Sequence, residues 1–230
     1  MLSLTLLIAC GPKLPPAPEG DSAQVNLDGV LVDVRWDDGD TFSWHDPDSG
    51  EKLKARLKGF NTLESYGPVH RWGEWTGAEL YARAKAAGTV AGSAVWTCHD
   101  TGDGGGYGRK LIDCPDLRQH MLAQGHAHAF SIDAPALDDD LAHQSVAIEK
   151  GRGMWAKGVP EGLLTSLHSS DERDDGSAYN RLCSLITGQC DKSNHTGTYT
   201  TCQEVCEQGS CMLYVPYKQR YGEGRADCLR

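Results

Sequence analysis

The chain has 230 residues, of which 39% are hydrophobic, so it is long enough to bury a core in one or two domains. Its formal net charge at pH 7 is −10. Because sequence-independent binding to nucleic acid relies on many lysine and arginine side chains, this charge argues against a large basic groove. Any phosphate chemistry must depend on a few local arginines or on a bound cation.

The N-terminal residues 1–10 resemble the end of a bacterial lipoprotein signal. Their apolar run is shorter than the ~20 residues that span a bilayer, and Leu7-Ile8-Ala9-Cys10 matches the pattern in which the cysteine receives a lipid. We therefore expect an exported protein, either held by a lipid on Cys10 to the bacterial envelope membrane (outer membrane or periplasm-facing) or secreted. An uncleaved apolar start stays open, because no basic residues precede the run. Residues 11–24 are rich in proline and predict a semi-rigid tether.

Residues 25–62 alternate between apolar and polar side chains, with glycine and aspartate at the turns, which is typical of a meander of strands. Two further strands are predicted on either side of the glycine-rich loop 100–108. The five candidate strands are 30–32, 41–44, 52–60, 90–98 and 110–114.

Three helices are predicted. The capping box Thr76-Gly77-Ala78-Glu79 starts a helix over 76–87 that Gly88 ends. Two more helices cover 116–124 and 141–150, and the acidic run 138–140 is expected to cap the last one. Five short strands with three helices predict an α+β fold, in which a five-stranded OB-type barrel carries packed helices.

The composition divides the chain after the barrel. The barrel domain is expected to span residues 25–160. Residues 161–178 are rich in serine, aspartate and glycine and predict a linker. Residues 179–230 are few and cysteine-dense, and they predict a small domain that depends on disulfides because its core is too small.

The chain has nine cysteines, and eight remain if Cys10 carries a lipid. An even number in an exported chain favours disulfides. Cys98 and Cys114 lie on opposite strands of one predicted hairpin, so we expect a bridge between them. The other six lie in the C-terminal region and are expected to pair among themselves, with their partners left open. Disulfides are favoured there over a zinc site with His195.

Three short motifs place acids and arginines at turns and strand ends. They are Asp38-Gly39-Asp40-Thr41, the stretch from Arg56 to Glu64, and Tyr107-Gly108-Arg109. Hard cations take oxygen ligands, a planar guanidinium matches phosphate oxygens, and a carboxylate near a water can act as a general base. The combination predicts a site that holds a hard cation beside a phosphate and activates water against it.

These motifs, with Leu117 to Gly125 and Gly153-Met154-Trp155, resemble the staphylococcal nuclease (thermonuclease-like) family over about residues 25–158. The resemblance implies an OB-fold barrel and a calcium-dependent nuclease that hydrolyses DNA and RNA with little sequence preference, leaving 3′-phosphate ends. The site residues that it implies are Asp40, Asn61 and the Thr62 carbonyl as Ca²⁺ ligands, Glu64 as general base, Arg56 and Arg109 as the arginines that grip the phosphate, and Tyr107 and Phe130 as substrate contacts.

Three positions depart from the family pattern. Asn61 stands where the family most often has a second acidic ligand, Leu63 replaces a proline, and Gly106 replaces a lysine. An amide oxygen still coordinates calcium but brings no charge, so a lower calcium affinity is expected. Packing of Tyr107 beneath its loop and of Phe130 in the core are open alternatives. The competing function is an inactive or weakly active lipoprotein that binds nucleic acid or a surface. No sequence feature indicates an obligate protein partner.

Overall fold

The computed structural model describes residues 23–229. The signal-like segment, the expected lipid site at Cys10 and most of the expected tether therefore lie outside the described residues. Within residues 23–229, the chain forms fourteen strands and three α-helices. The strands are β1 Ala23–Leu27, β2 Val30–Trp36, β3 Thr41–His45, β4 Lys52–Leu57, β5 Phe60–Thr62, β6 His70–Trp72, β7 Trp96–Gly104, β8 Lys110–Asp113, β9 Ala127–Ala129, β10 Gly162–Ser166, β11 Ala178–Ser184, β12 Cys190–His195, β13 Glu204–Glu207 and β14 Ser210–Leu213. The helices are α1 Gly77–Ala91, α2 Pro115–Ala123 and α3 Asp138–Glu149.

Six strands close into a barrel in the order β1-β2-β3-β4-β8-β7. The α+β class is as expected, but the prediction of five barrel strands is wrong by one. The additional strand is β1, which joins β2 through an Asp28-Gly29 turn and runs parallel to β7 on its other edge. Both turn residues have positive φ, 51° and 87°, as a two-residue hairpin favours. Only Val25 of β1 is fully buried.

The barrel interior and helix α2 share one core. Burying a large apolar side chain contributes about 1.5–3 kcal/mol, and this core holds Phe42, Leu57, Ile112, Leu117 and Met121. The expected disulfide between Cys98 and Cys114 is present, and it joins β7 to the residue that precedes α2. It therefore fixes α2 against the barrel beside the β7–β8 hairpin.

Helix α1 begins at the predicted capping box but is longer than predicted. The Thr76 hydroxyl accepts a hydrogen bond from the Glu79 backbone, and the Glu79 carboxylate accepts one from the Thr76 backbone at 3.0 Å. Gly88 does not end the helix, which continues for three residues beyond it. A Cβ atom at Gly88 would lie 3.4 Å from the backbone of Asp38. This glycine therefore allows the helix to approach the turn before β3, and β7 begins correspondingly later than predicted.

The acidic run at 138–140 lies inside the first turn of α3 rather than ahead of it. Asp140 is buried, and its carboxylate accepts a hydrogen bond from Arg118 Nε of α2 at 2.9 Å. Removing one partner of a buried ion pair costs about 3–5 kcal/mol. The pair joins α2 to α3, so loss of either partner would leave an uncompensated buried charge between the helices. Helix α3 starts earlier than the predicted 141.

The C-terminal part of the chain forms two small sheets, and one of them includes a strand from the barrel half. Strands β10, β11 and β12 form the first sheet, while β13 and β14 pair with β6 in the second. Register pairs place His70 opposite Met212. The expected linker 161–178 includes β10, where Leu163 and Leu164 are fully buried. The C-terminal region is thus joined to the barrel half by strand pairing as well as by the chain.

The six C-terminal cysteines pair among themselves, as Cys183–Cys190, Cys202–Cys228 and Cys206–Cys211. With the bridge in the barrel, the described residues contain four disulfides, which are typical of proteins outside the cytoplasm. Among residues 23–229, no helix is long and apolar enough to cross a membrane.

Candidate functional site

Asp40 is the buried centre of the candidate site. It precedes β3, and its carboxylate accepts hydrogen bonds from Thr41 Oγ1 at 3.0 Å, from Thr62 N at 2.7 Å and from Thr62 Oγ1 at 3.1 Å. It also forms an ion pair with Arg56. Burial opposes ionisation, but Arg56 and the hydrogen bonds outweigh it and hold the pKa of Asp40 below its usual value. Both oxygens of the Asp40 carboxylate are therefore held by hydrogen bonds.

Arg56 connects two of the predicted calcium ligands. It lies on β4 directly opposite Thr41, and its guanidinium donates to Asp40 and to the Asn61 side-chain oxygen. The Phe130 ring lies beneath it, with the guanidinium carbon 5.3 Å from the ring centroid. Phe130 is half-buried and also packs on a hydrophobic cluster. Its ring therefore contacts both that cluster and the Arg56 guanidinium.

The orientation of the Asn61 amide follows from its neighbours. Its Nδ2 donates to the Thr62 carbonyl at 2.9 Å and to His128 Nε2 at 3.3 Å, across the β5–β9 strand pair. His128 Nδ1 lies 2.9 Å from the Ala129 carbonyl, which only accepts, so Nδ1 carries the proton and Nε2 accepts. Burial lowers the pKa of His128 to about 4, which keeps it neutral. The Asn61 oxygen is thereby directed at Arg56.

Glu64 follows β5 and is half-buried. Burial and the nearby Asp40 raise its pKa, against the opposing effects of Arg220, Arg56 and Arg109. A carboxylate with a raised pKa is a better general base near neutral pH. The Glu64 backbone N–H donates to Nε2 of buried His70 at 3.3 Å, which fixes the turn despite the missing proline.

Arg109 lies in the turn before β8, with its guanidinium held by its own loop. Nε donates to the Gly106 carbonyl at 3.2 Å and Nη2 to the Gly105 carbonyl at 3.1 Å. Burial and the neighbouring Arg56 lower its pKa, while Asp40 and Asp38 raise it. Two neighbouring guanidinium groups can together bind an anion. Tyr107 is 92% exposed, so it does not pack beneath the loop.

Asp38 was not predicted as a site residue, although it opens the Asp38–Thr41 motif. Its carboxylate accepts a hydrogen bond from the Asp40 backbone at 3.1 Å. Burial, Asp40 and Glu64 raise its pKa well above the usual value. Three carboxylates therefore repel one another here, and a cation would relieve that repulsion.

The predicted calcium ligands meet the chemical requirement but are already engaged. Their donors are oxygens, which hard cations prefer. The Asp40 and Asn61 oxygens accept from Arg56, and the Thr62 carbonyl accepts from Asn61. Among the His, Cys, Asp and Glu side chains of residues 23–229, the only group of three with donor atoms within 4.8 Å of one another is Glu204, Cys206 and Cys211. Those two cysteines form a disulfide, so they offer no thiolate.

The fold brings eight predicted residues to one end of the barrel, with Tyr107 projecting into solvent and the other seven partly or fully buried. His128, His70, Asp38 and Arg220 join them. A search of family models finds no match to this chain, and no curated protein matches it. The chemistry of the site is therefore inferred from its geometry alone.

Proposed function

We propose that the protein is a calcium-dependent nuclease of the thermonuclease type, built on an OB-type barrel, that hydrolyses phosphodiester bonds of DNA or RNA with little sequence preference. The observation that supports this best is the convergence of Arg56, Arg109 and Glu64 around Asp40. Two guanidinium groups and a carboxylate of raised pKa are the groups needed to bind a phosphodiester and activate water against it. A barrel that only binds nucleic acid needs no buried base.

Each side chain has a separable role in this proposal. Glu64 accepts the proton of the attacking water. Arg56 and Arg109 neutralise the charge that develops on the phosphoryl oxygens. Asp40, Asn61 and the Thr62 carbonyl would hold Ca²⁺, which would supply positive charge at the same oxygens. Arg56 donates to the Asp40 and Asn61 oxygens, so it would share or release these contacts when a cation is bound.

A plasmid-nicking assay on the purified protein tests the proposal. We expect cleavage with calcium and none in excess chelator. Arg109→Ala should lower the rate by roughly 10²–10³-fold, the usual cost of losing one preorganised electrostatic contact. Because Arg109 contacts its own loop, through the Gly105 and Gly106 carbonyls and the exposed Tyr107 ring, the variant should keep the parental melting temperature. Full cleavage in chelator, or by Arg109→Ala, would contradict the assignment.

The second candidate is a binding module without catalysis. The observation that favours it is the engagement of Arg56 with both Asp40 and Asn61, which closes the site to a cation unless Arg56 moves. This alternative predicts calcium-independent binding of nucleic acid with no nicking at any calcium concentration. The same assay, paired with a binding measurement in chelator, distinguishes the two.

We further propose that the protein is a lipoprotein of the bacterial envelope, held to a membrane through Cys10. The four disulfides are consistent with export. A Cys10→Ser variant expressed in a bacterial host should leave the membrane fraction, while the parent stays in it. An identical distribution of the two would contradict the anchor.

A further inference from the structure

Three tyrosines form a partly exposed aromatic surface beside the candidate site. Tyr66 lies two residues after Glu64, while Tyr217 and Tyr221 come from the C-terminal region. The Tyr66 and Tyr221 ring centroids are 6.3 Å apart, and those of Tyr217 and Tyr221 are 5.7 Å apart. The three residues are 39%, 71% and 48% exposed. Each tyrosine ring offers a flat apolar face and a polar hydroxyl, which suits a binding surface.

Two cations accompany this aromatic surface. Lys85 Nζ lies 4.1 Å from the Tyr66 ring centroid. Arg220 packs over Gly67, where its Cδ lies 2.8 Å from the position a Cβ would take, and its Nε donates to the Val215 carbonyl at 2.9 Å. Arg220 is close enough to Glu64 to lower the pKa of that carboxyl. Asp37 and Asp38 lie near Tyr66, and Glu64 lies near Tyr221. Lys85 and Arg220 are the cations of this surface that an anionic partner would contact beside those acids.

The segment that carries Tyr217, Arg220 and Tyr221 is held in place. The Cys202–Cys228 disulfide closes the loop around it. Within that loop, Val215 and Ala226 pack with Val69 of the barrel half in a small core of their own. The same loop contains β14, which pairs with β6. The surface is therefore built onto the barrel half rather than attached by a flexible tail.

We propose that Tyr66, Tyr217 and Tyr221, with Lys85 and Arg220, form a binding surface for a single-stranded stretch of nucleic acid that leads into the site at Glu64. The proposal rests on the proposed nuclease function and adds a substrate-binding surface that the C-terminal region largely provides. Tyrosine rings stack on bases whose faces are free, and bases in a duplex are already stacked. Such stacking tolerates any base, and the two cations contact the phosphates between stacked bases. The cysteine-rich region thus completes the substrate site.

The test compares three forms of the full chain: the parent, Tyr217→Ala/Tyr221→Ala, and the matched control Tyr217→Phe/Tyr221→Phe. Phenylalanine keeps the ring but removes the hydroxyl. Binding is measured in chelator by fluorescence anisotropy with a labelled 12-nucleotide oligothymidylate and with a 12-base-pair duplex. Losing a base–aromatic stack weakens binding by roughly 5- to 150-fold. We expect a loss of that size for the alanine variant on the single strand, near-parental binding by the phenylalanine variant, and little change on the duplex.

A cleavage arm separates this proposal from the nuclease proposal. With calcium, the alanine variant should show a raised KM on the oligonucleotide with little change in kcat, because it loses substrate binding and keeps the groups that act on the phosphate. If no form cleaves anything but the alanine variant still loses single-strand binding, the nuclease proposal fails and the surface stands. Parental binding by the alanine variant, an equal loss by the phenylalanine variant, or an equal loss on the duplex would each overturn the surface. Melting curves check folding, and single Tyr217→Ala replaces the double variant if that variant unfolds.

Discussion

Replacing Asn61 by aspartate tests the candidate calcium site most directly, because the structure gives the substitution two opposing effects. The Asn61 amide donates to the Thr62 carbonyl at 2.9 Å and to His128 Nε2 at 3.3 Å. A carboxylate donates to neither. Its added charge, however, strengthens the contact with Arg56 and supplies a second acidic ligand for a cation.

The expected magnitude follows from those contacts. Leaving two buried acceptors without a donor costs about 1–3 kcal/mol each, and a hydrogen bond to a charged partner returns about 1.5–3 kcal/mol. In chelator, we expect Asn61→Asp to lose roughly 1–3 kcal/mol of unfolding free energy. For a protein of this size, that lowers the melting temperature by roughly 2–12 °C. Calcium should reverse the loss, since a ligand at 100 times its Kd adds about 2.7 kcal/mol.

Calorimetry with and without calcium measures both effects, and Asn180→Asp provides the matched control. Asn180 is buried, and its Nδ2 donates to Tyr199 Oη at 2.9 Å and to the Glu207 carboxylate, far along the chain from the site. That variant should be destabilised without any rescue by calcium. If Asn61→Asp is as stable as the parent in chelator, or gains no more from calcium than the parent does, the assigned ligand is wrong.

Three further predictions concern the base, the buried histidines and the barrel disulfide. Glu64→Gln should lower the cleavage rate by roughly 10²–10⁴-fold with parental melting, and a parental rate would place the base elsewhere. Burial lowers the pKa of His70 to about 3 and of His128 to about 4, so the unfolded chain binds more protons between these values and ~6.5. Stability should therefore fall as pH drops through that window, by up to about 1.4 kcal/mol per pH unit for each histidine. Urea unfolding of the parent and of His128→Gln, repeated across this pH window, measures the dependence of unfolding free energy on pH. That free energy should fall less steeply with decreasing pH in the variant, and an equal dependence would count against the lowered pKa of His128. Cys98→Ser/Cys114→Ser should lose up to about 3 kcal/mol, and unchanged melting would show that the bridge contributes nothing.

Much of the site was accessible from sequence because its residues are local. Asp40 precedes β3, Arg56 lies on β4 and Asn61 on β5, so elements that follow one another in the chain bring them into contact. The capping box at Thr76 is local as well, and the helix starts where it predicts. Lipidation at Cys10 stays a prediction, as it lies outside the described residues.

The features that sequence reasoning missed depend on distant partners. His128 reaches Asn61 only through the β5–β9 pair, and Arg220 reaches Glu64 only because β14 pairs with β6. Gly88 illustrates a different difficulty. A glycine at the end of a helical pattern indicates either the end of the helix or a close approach by another backbone. At Gly88 it is the close approach, because the Asp38 turn lies beside the helix there.

The pairing of β6 with β14 has a consequence for the order of folding. Every disulfide in the described residues joins cysteines no more than 26 positions apart, whereas His70 pairs with a residue roughly 140 positions later. Closing so long a loop is entropically costly and slow, and no covalent bond assists it. The four disulfides can therefore form early, within short segments of the chain. The β6–β14 pairing, which joins the barrel half to the C-terminal region, then forms last. Refolding followed by thiol protection and by activity should then show two separate phases, with thiols lost before function is gained.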